Sequence, residues 1–159
     1  MSSVMPPVSS PRWKVTLAGH DGLERVQAKA NDIKKRFGVD VRAVDASTPG
    51  KLLEVLVGAE IVFCAAKAGV QVLSASALAS AKSLVIAADV NAVPPAGIEG
   101  LQLMDNGVEL PGGILGIGPL AIGDVKYKTE SGLFRRLATS STHLAIDFRD
   151  AFALAREIV

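Results

Sequence analysis

The spacing of apolar residues changes several times along the chain, and each change predicts an element. Residues 13–18 (WKVTLA) read as a first strand, followed by a tight loop, Gly19-His20-Asp21-Gly22. Leu23, Val26, Ala30, Ile33 and Phe37 then recur at three- and four-residue steps, the apolar face of a helix. Lys29, Lys34, Lys35 and Arg36 fall mostly on its solvated face, and Gly38 ends it. Residues 39–44 (VDVRAV) alternate as a strand does. Thr48 and Pro49 read as the N-cap and first position of a short helix that turns Leu52, Leu53 and Leu56 inward and closes at Gly58. The unbroken run at 61–66 (IVFCAA) predicts a central buried strand, Ser74 caps a helix to about residue 81, and 84–88 (LVIAA) predicts the next buried strand. Residues 89–111, with Pro94-Pro95 and several glycines, predict irregular chain. Residues 114–117 and 120–122 predict short, glycine-broken strands, and 131–139 a helix. Asp147 caps a last helix expected to bury Phe148, Phe152, Ala155 and Val159.

Strand–helix repeated four times, then a strand and closing helices, predicts an α/β fold: a Rossmann-like open parallel sheet with helices on both faces. Residues 1–12 (MSSVMPPVSSPR), rich in Ser and Pro, are expected to form a flexible leader, and 13–159 a single domain. No internal repeat is visible.

Composition narrows the function classes. The chain has 159 residues, 49% hydrophobic and 21% charged, which marks a globular protein able to bury a core. The net charge of +1 draws no polyanion over long range, and no basic face carries interleaved aromatics, so nucleic acid is excluded as a partner. Cys64 is the one cysteine, which excludes a disulfide framework and a cysteine-rich metal site. His20 and His143 have no ligand partners at metal spacing, so no metal is expected. Apolar runs fall far short of the ~20 residues of a membrane span, and no signal peptide is legible, which leaves the cytoplasm as the expected location.

In open parallel sheets, ligands lie beyond the carboxyl ends of the strands. Four segments meet that description: Gly19-His20-Asp21-Gly22, Ala65-Ala66-Lys67-Ala68-Gly69, Asp89-Val90-Asn91, and the glycines around Gly116, Gly118 and Gly123. Small residues after Cys64 let a flat ligand approach the backbone, or simply make a tight turn. An acid after the first strand can bind ribose hydroxyls and a cation can accept a 2′-phosphate. His20 and Asp21 offer both, and Asp21 can equally cap the next helix. Asp89 and Asn91 can orient a polar ring, but Asx residues before prolines more commonly organise turns. Lys67 can meet a phosphate or remain solvated. Lys126 and Lys128 are expected to flank a strand end or loop. Cys64 reads as a small core residue rather than a nucleophile. Ser140, Ser141 and Thr142 precede His143 without a G-x-S-x-G elbow, so no catalytic residue is assigned.

Several of these segments resemble a known family. KVTLAGHDGLERVQAKANDIKKRFGVDV is similar to the second strand and following helix of the cofactor domain in NAD(P)-dependent methylenetetrahydromethanopterin dehydrogenases. GAEIVFCAAKAG resembles the next cofactor-side strand and loop, and VIAADVNAVPPAGIEG the family's D-x-N-A-x-P-P-x-G-I segment, the most specific piece. AIGDVKYK, LFRRL and the last helix resemble its carboxyl end. The resemblance implies hydride transfer between a C1 carrier, tetrahydromethanopterin or tetrahydrofolate, and NADP or NAD. It implies that Gly19, His20 and Asp21 handle the adenosine ribose and any 2′-phosphate, that Ala65, Ala66, Lys67 and Gly69 line the cofactor's inner side, and that Asp89 and Asn91 lie near the nicotinamide. His20 stands where NADP-using members often carry arginine.

The family's substrate domain, first strand and G-x-G-x-x-G turn have no counterpart before Trp13, and the pyrophosphate normally rests on that turn's helix. The expected consequence is weak or absent cofactor binding and a pocket with one wall missing. In strand order 3-2-1-4-5-6 the missing strand is the central one. Either the 13–18 strand becomes the centre of a smaller sheet, the arrangement favoured from short connections, or a partner chain supplies the strand. The competing functions are a cofactor-binding part of such an oxidoreductase and a non-catalytic nucleotide-binding or homo-oligomerisation module derived from it. A receiver-like domain is the third, with Asp45 and Asp89 at strand ends but no acidic pair after the first strand.

Overall fold

The structure, a computed structural model, describes residues 13–159; the leader expected at 1–12 lies outside the described residues. The architecture is α/β and Rossmann-like, with parallel-dominated sheets flanked by helices. The chain divides into two compact units, one ending at Leu56 and the other spanning Val57–Val159.

The first unit runs β1 (Thr16–Gly19), α1 (Leu23–Phe37), β2 (Arg42–Asp45) and α2 (Pro49–Leu56). β1 and β2 are parallel, with Thr16 opposite Arg42 and Gly19 opposite Asp45. This β–α–β unit follows from the amphipathic period of α1, whose Val26 and Ala30 are buried. The helix ends as expected at Gly38, which takes the left-handed conformation at φ 70°. The Thr48 hydroxyl accepts the Lys51 N–H at 3.3 Å, so α2 begins at the expected cap. Leu23, Phe37 and Leu53, expected inside, are exposed. Two strands offer too small a surface to cover the full apolar stripe of either helix. The expected smaller sheet with the 13–18 strand at its centre is replaced by this pair, in which neither strand is central.

The second unit contains β3 (Ile61–Cys64), α3 (Ala75–Ser80), β4 (Ile86–Asp89), β5 (Asn106–Leu110), β6 (Ile114–Ile117), α4 (Pro119–Thr139) and α5 (Phe148–Ile158). Its sheet has the order β3-β4-β6-β5. β3, β4 and β6 are parallel, and β5 is antiparallel to β6. The fourfold strand–helix repeat is therefore corrected: after β4 no helix follows, and the stretch expected to be irregular supplies β5, which forms a hairpin with the expected strand at Ile114–Ile117. Gly112 and Gly113, both at positive φ, supply its turn. Residues 120–122 belong to α4, not to a strand, because Pro119 starts the helix at its first position. Lys126 and Lys128 lie on that same helix rather than at a strand end, paired to Glu130 and Asp124 one turn away.

One face of this sheet is packed: Cys64, Ala87, Asp89, Leu110 and Ile114 are all buried. Leu78, Ile98 and Leu101 complete the core. α4 and α5 lie against each other, with the Leu154 side chain so close to Gly132 that a Cβ there would stand 2.7 Å from Leu154 Cδ2. Asp147 and Asp150 form the capping box of α5. Contrary to expectation α5 buries Leu154, while Phe148 and Phe152 are each 59% exposed and Val159 is also exposed. α5 packs chiefly along α4, so its contact stripe is too narrow to take the aromatic positions.

Candidate functional site

In the second unit, the strand ends come together as the parallel topology requires. β3 and β4 are neighbours, so the loop after Cys64 and the loop after Asp89 leave the sheet side by side. The Asn91 amide Nδ2 donates to the Ala66 carbonyl and ties the two loops. The Val90 N–H donates to the Cys64 carbonyl at 3.1 Å. A turn closed by Val70 N–H to Lys67 carbonyl carries the chain onward, and Gly69 sits in it at φ 74°. Ala65 and Lys67 are exposed and Ala66 and Gly69 half-buried, which leaves small residues where a flat ligand can reach the backbone.

Asp89 is fully buried, and both carboxyl oxygens are engaged: Oδ2 accepts the Gly97 N–H at 2.6 Å and Oδ1 accepts the Asn91 N–H at 3.0 Å. The carboxyl therefore organises the loop from 90 to 97, which contains the cis Pro94–Pro95 bond. The Asn91 Oδ1, by contrast, accepts from no donor among the described residues. This arrangement fits a ligand amide at Asn91 and small contacts at Ala65, Ala66 and Gly69; the Asp89 oxygens are already occupied by backbone donors.

Two residues of this site are invisible to motif reading by role. Gly97 is needed because a Cβ would stand 2.6 Å from Cys64 Sγ and 3.1 Å from Asp89 Oδ2. Glu99 accepts the Ala75 N–H at 2.7 Å, so the same segment that carries the prolines also holds the start of α3. The available signal is the spacing within DVNAVPPAGIE, where the turn-organising Asp stands eight residues before its glycine. Cys64 lies beside Gly97, 7% exposed, and burial pushes its thiol up from the ordinary value. It stays protonated at neutral pH.

In the first unit, Gly19 ends β1, and His20 and Asp21 follow on the surface. Asp21 pairs with His20 at 3.2 Å and Arg25 at 2.9 Å. It does not cap α1, whose N-cap Gly22 makes no side-chain bond. At the adjoining end of β2, Asp45 contacts Lys51 Nζ at 2.5 Å and accepts the Ser47 N–H at 2.8 Å. The Lys51 hydrogen bond, then those from Ser47, lower its pKa from 3.8 to about 2.

Ser140 and Thr142 hydrogen-bond each other's groups in the turn after α4. Gly116 and Gly118 serve packing: a Cβ on Gly118 would overlap the Gln102 and Leu103 carbonyls and one on Gly116 the Leu101 side chain, whereas a Cβ on Gly123, within α4, would meet nothing within 4 Å among the described residues. Among the described residues no group of three or more His, Cys, Asp or Glu is placed to hold a metal. No helix among them is long and apolar enough to cross a membrane.

No family model matches the chain. It is 35% identical over 145 residues to the bifunctional protein MdtA of Methylorubrum extorquens, covering 91% of this chain and 49% of that protein. It is 47% identical over 146 residues to the NAD(P)-dependent methylenetetrahydromethanopterin dehydrogenase of the same organism, again covering 91% of this chain and 49% of the relative. The chain thus resembles this dehydrogenase over nearly its whole length, and it spans about half the length of the relatives it matches.

Proposed function

We propose that the chain is the cofactor-binding part of a methylenetetrahydromethanopterin dehydrogenase-like oxidoreductase. The proposed reaction is hydride transfer between NAD(P) and methylene-tetrahydromethanopterin or methylene-tetrahydrofolate, in the cytoplasm. The observation that carries this reading is the 47% identity to the dehydrogenase, extending over 91% of the chain. The strand-end geometry supports it. In the second unit, Ala65, Ala66, Lys67 and Gly69 are proposed to line the cofactor's inner side. Asn91 is proposed to accept from the nicotinamide carboxamide, and Asp89 to hold Asn91 and its loop in place. In the first unit, Gly19, His20 and Asp21 are proposed for the adenosine ribose. Hydride transfer depends on positioning two ligands more than on acid–base groups, so these residues need supply no proton.

The test is titration of the purified chain with NADH and NADPH, read by nicotinamide fluorescence and thermal shift. Cofactor at a hundred times its dissociation constant stabilises a protein by about 2.7 kcal/mol, enough to raise the melting temperature measurably. Absence of any shift with both cofactors at millimolar concentration overturns the reading. The half-length match favours one other reading, a non-catalytic nucleotide-binding or homo-oligomerising module. Steady hydride transfer by the chain alone excludes it.

A further inference from the structure

In the first unit the two strands deliver their loops to one place. β1 and β2 are parallel, Gly19 stands opposite Asp45, and the Ala46 N–H donates to the Gly19 carbonyl at 2.8 Å. The loops that begin at His20 and Ala46 therefore leave the sheet side by side, at the carboxyl ends where such sheets bind ligands. Asp21 and Asp45 bring one carboxylate to each loop. Glu24, in the first turn of α1, adds a third.

Among the described residues, each basic side chain at this end already has a carboxylate partner. Arg25 Nη1 donates to Asp21 Oδ2 at 2.9 Å, and His20 Nε2 stands 3.2 Å from Asp21 Oδ1. Lys51 Nζ contacts Asp45 Oδ2 at 2.5 Å, while Asp45 Oδ1 accepts the Ser47 N–H at 2.8 Å. The unit's other described cations lie elsewhere. Lys14 and Arg42 stand at the starts of the strands, and Lys29, Lys34, Lys35 and Arg36 lie beyond the first turn of α1.

A ribose 2′-hydroxyl and a 2′-phosphate ask opposite things of such loops. The hydroxyl is a neutral donor, and a carboxylate offers about four acceptor positions. Asp21 is exposed and uses one contact on each oxygen, so it has room for that donor. A phosphate monoester brings a charge of about −1.5 to −2. To reach Arg25 or Lys51 it must displace a carboxylate, which then stays beside it as a like charge. The start of α1, where Gly22 makes no side-chain cap, favours an anion, but Asp21 and Glu24 already supply that charge. We propose that this end of the first unit selects NAD over NADP: the Asp21 carboxylate accepts the ribose 2′-hydroxyl, and Asp45 withholds Lys51 from a 2′-phosphate. The proposal rests on the reading of the chain as a cofactor-binding part and adds which cofactor it takes.

The test compares the dissociation constants of NADH and NADPH for the purified chain and three variants, read by nicotinamide fluorescence. The parent is expected to bind NADH at least about tenfold more tightly than NADPH. Asp21→Lys should shift the ratio toward NADPH by about tenfold or more. Asp21→Asn keeps an acceptor oxygen and removes only the charge, and Asp45→Asn releases Lys51. Both should shift the ratio the same way by a smaller factor, and circular dichroism checks that each variant is folded. A parent that binds NADPH as tightly as NADH, or more tightly, overturns the inference and leaves the cofactor-binding reading standing. A preference for NADH that survives all three substitutions unchanged overturns the roles given to Asp21 and Asp45. A parent that binds neither cofactor overturns the reading itself, and the inference with it.

Discussion

The Asp89 carboxyl accepts the Gly97 N–H at 2.6 Å, joining the end of a buried strand to a backbone amide eight residues further on. Around this bond the D-x-N-A-x-P-P-x-G segment becomes a closed loop. Asn91 hangs from the other carboxyl oxygen, and its amide reaches across to Ala66. The segment's polar residues thus have unequal tasks: Asp89 shapes the loop, and Asn91 both braces it and keeps an acceptor open.

Replacing Asp89 with Ala leaves two backbone donors without their acceptor in a buried setting. The expected loss is about 2–4 kcal/mol of unfolding free energy, measured by urea denaturation. A loss below about 0.5 kcal/mol contradicts the assigned role.

Gly97→Ala is expected to destabilise by about 1–3 kcal/mol, since its Cβ meets Cys64 Sγ and Asp89 Oδ2. Cys64→Ala removes the nearer of those atoms. In the double variant the two effects should therefore be less than additive, by about 0.5 kcal/mol or more. Strict additivity places the strain elsewhere.

The Cys64 thiol, buried and raised in pKa, should react with Ellman's reagent far more slowly in the native chain than in urea. Equal rates in the two conditions contradict its place in the core.

Asp45 has its carboxyl pKa lowered to about 2 by Lys51 and Ser47. A group held below its ordinary value of 3.8 contributes stability that is present above that value and lost as pH falls through about 2. The melting temperature should accordingly drop across that window, and Asp45→Asn should flatten the drop. An Asp45→Asn variant with the parent's acid profile refutes this coupling.

His20→Arg tests the proposed ribose end of the first unit. An added guanidinium beside β1 should lower the NADPH dissociation constant relative to that of NADH by about tenfold. A variant whose preference is unchanged removes residues 19–21 from the cofactor site.

Much of the local structure was legible in the sequence because local chemistry determines it. The period of Val26 and Ala30, the caps at Thr48, Ser74 and Asp147, and the stop at Gly38 each act within a few residues. The strand-end loops were legible too, since apolar runs ending in small residues mark where a parallel sheet opens. Tertiary structure decided what depends on distant partners. Which apolar residues are covered was one such matter: Phe63 and Phe152 read as core, yet both are more than half exposed. The hairpin of β5 and β6 was another, because its strand at Asn106–Leu110 exists by pairing rather than by its own pattern. The task of Asp89 was a third. Its neighbours in sequence suggest a turn, but only the folded chain brings Gly97 to its buried carboxyl.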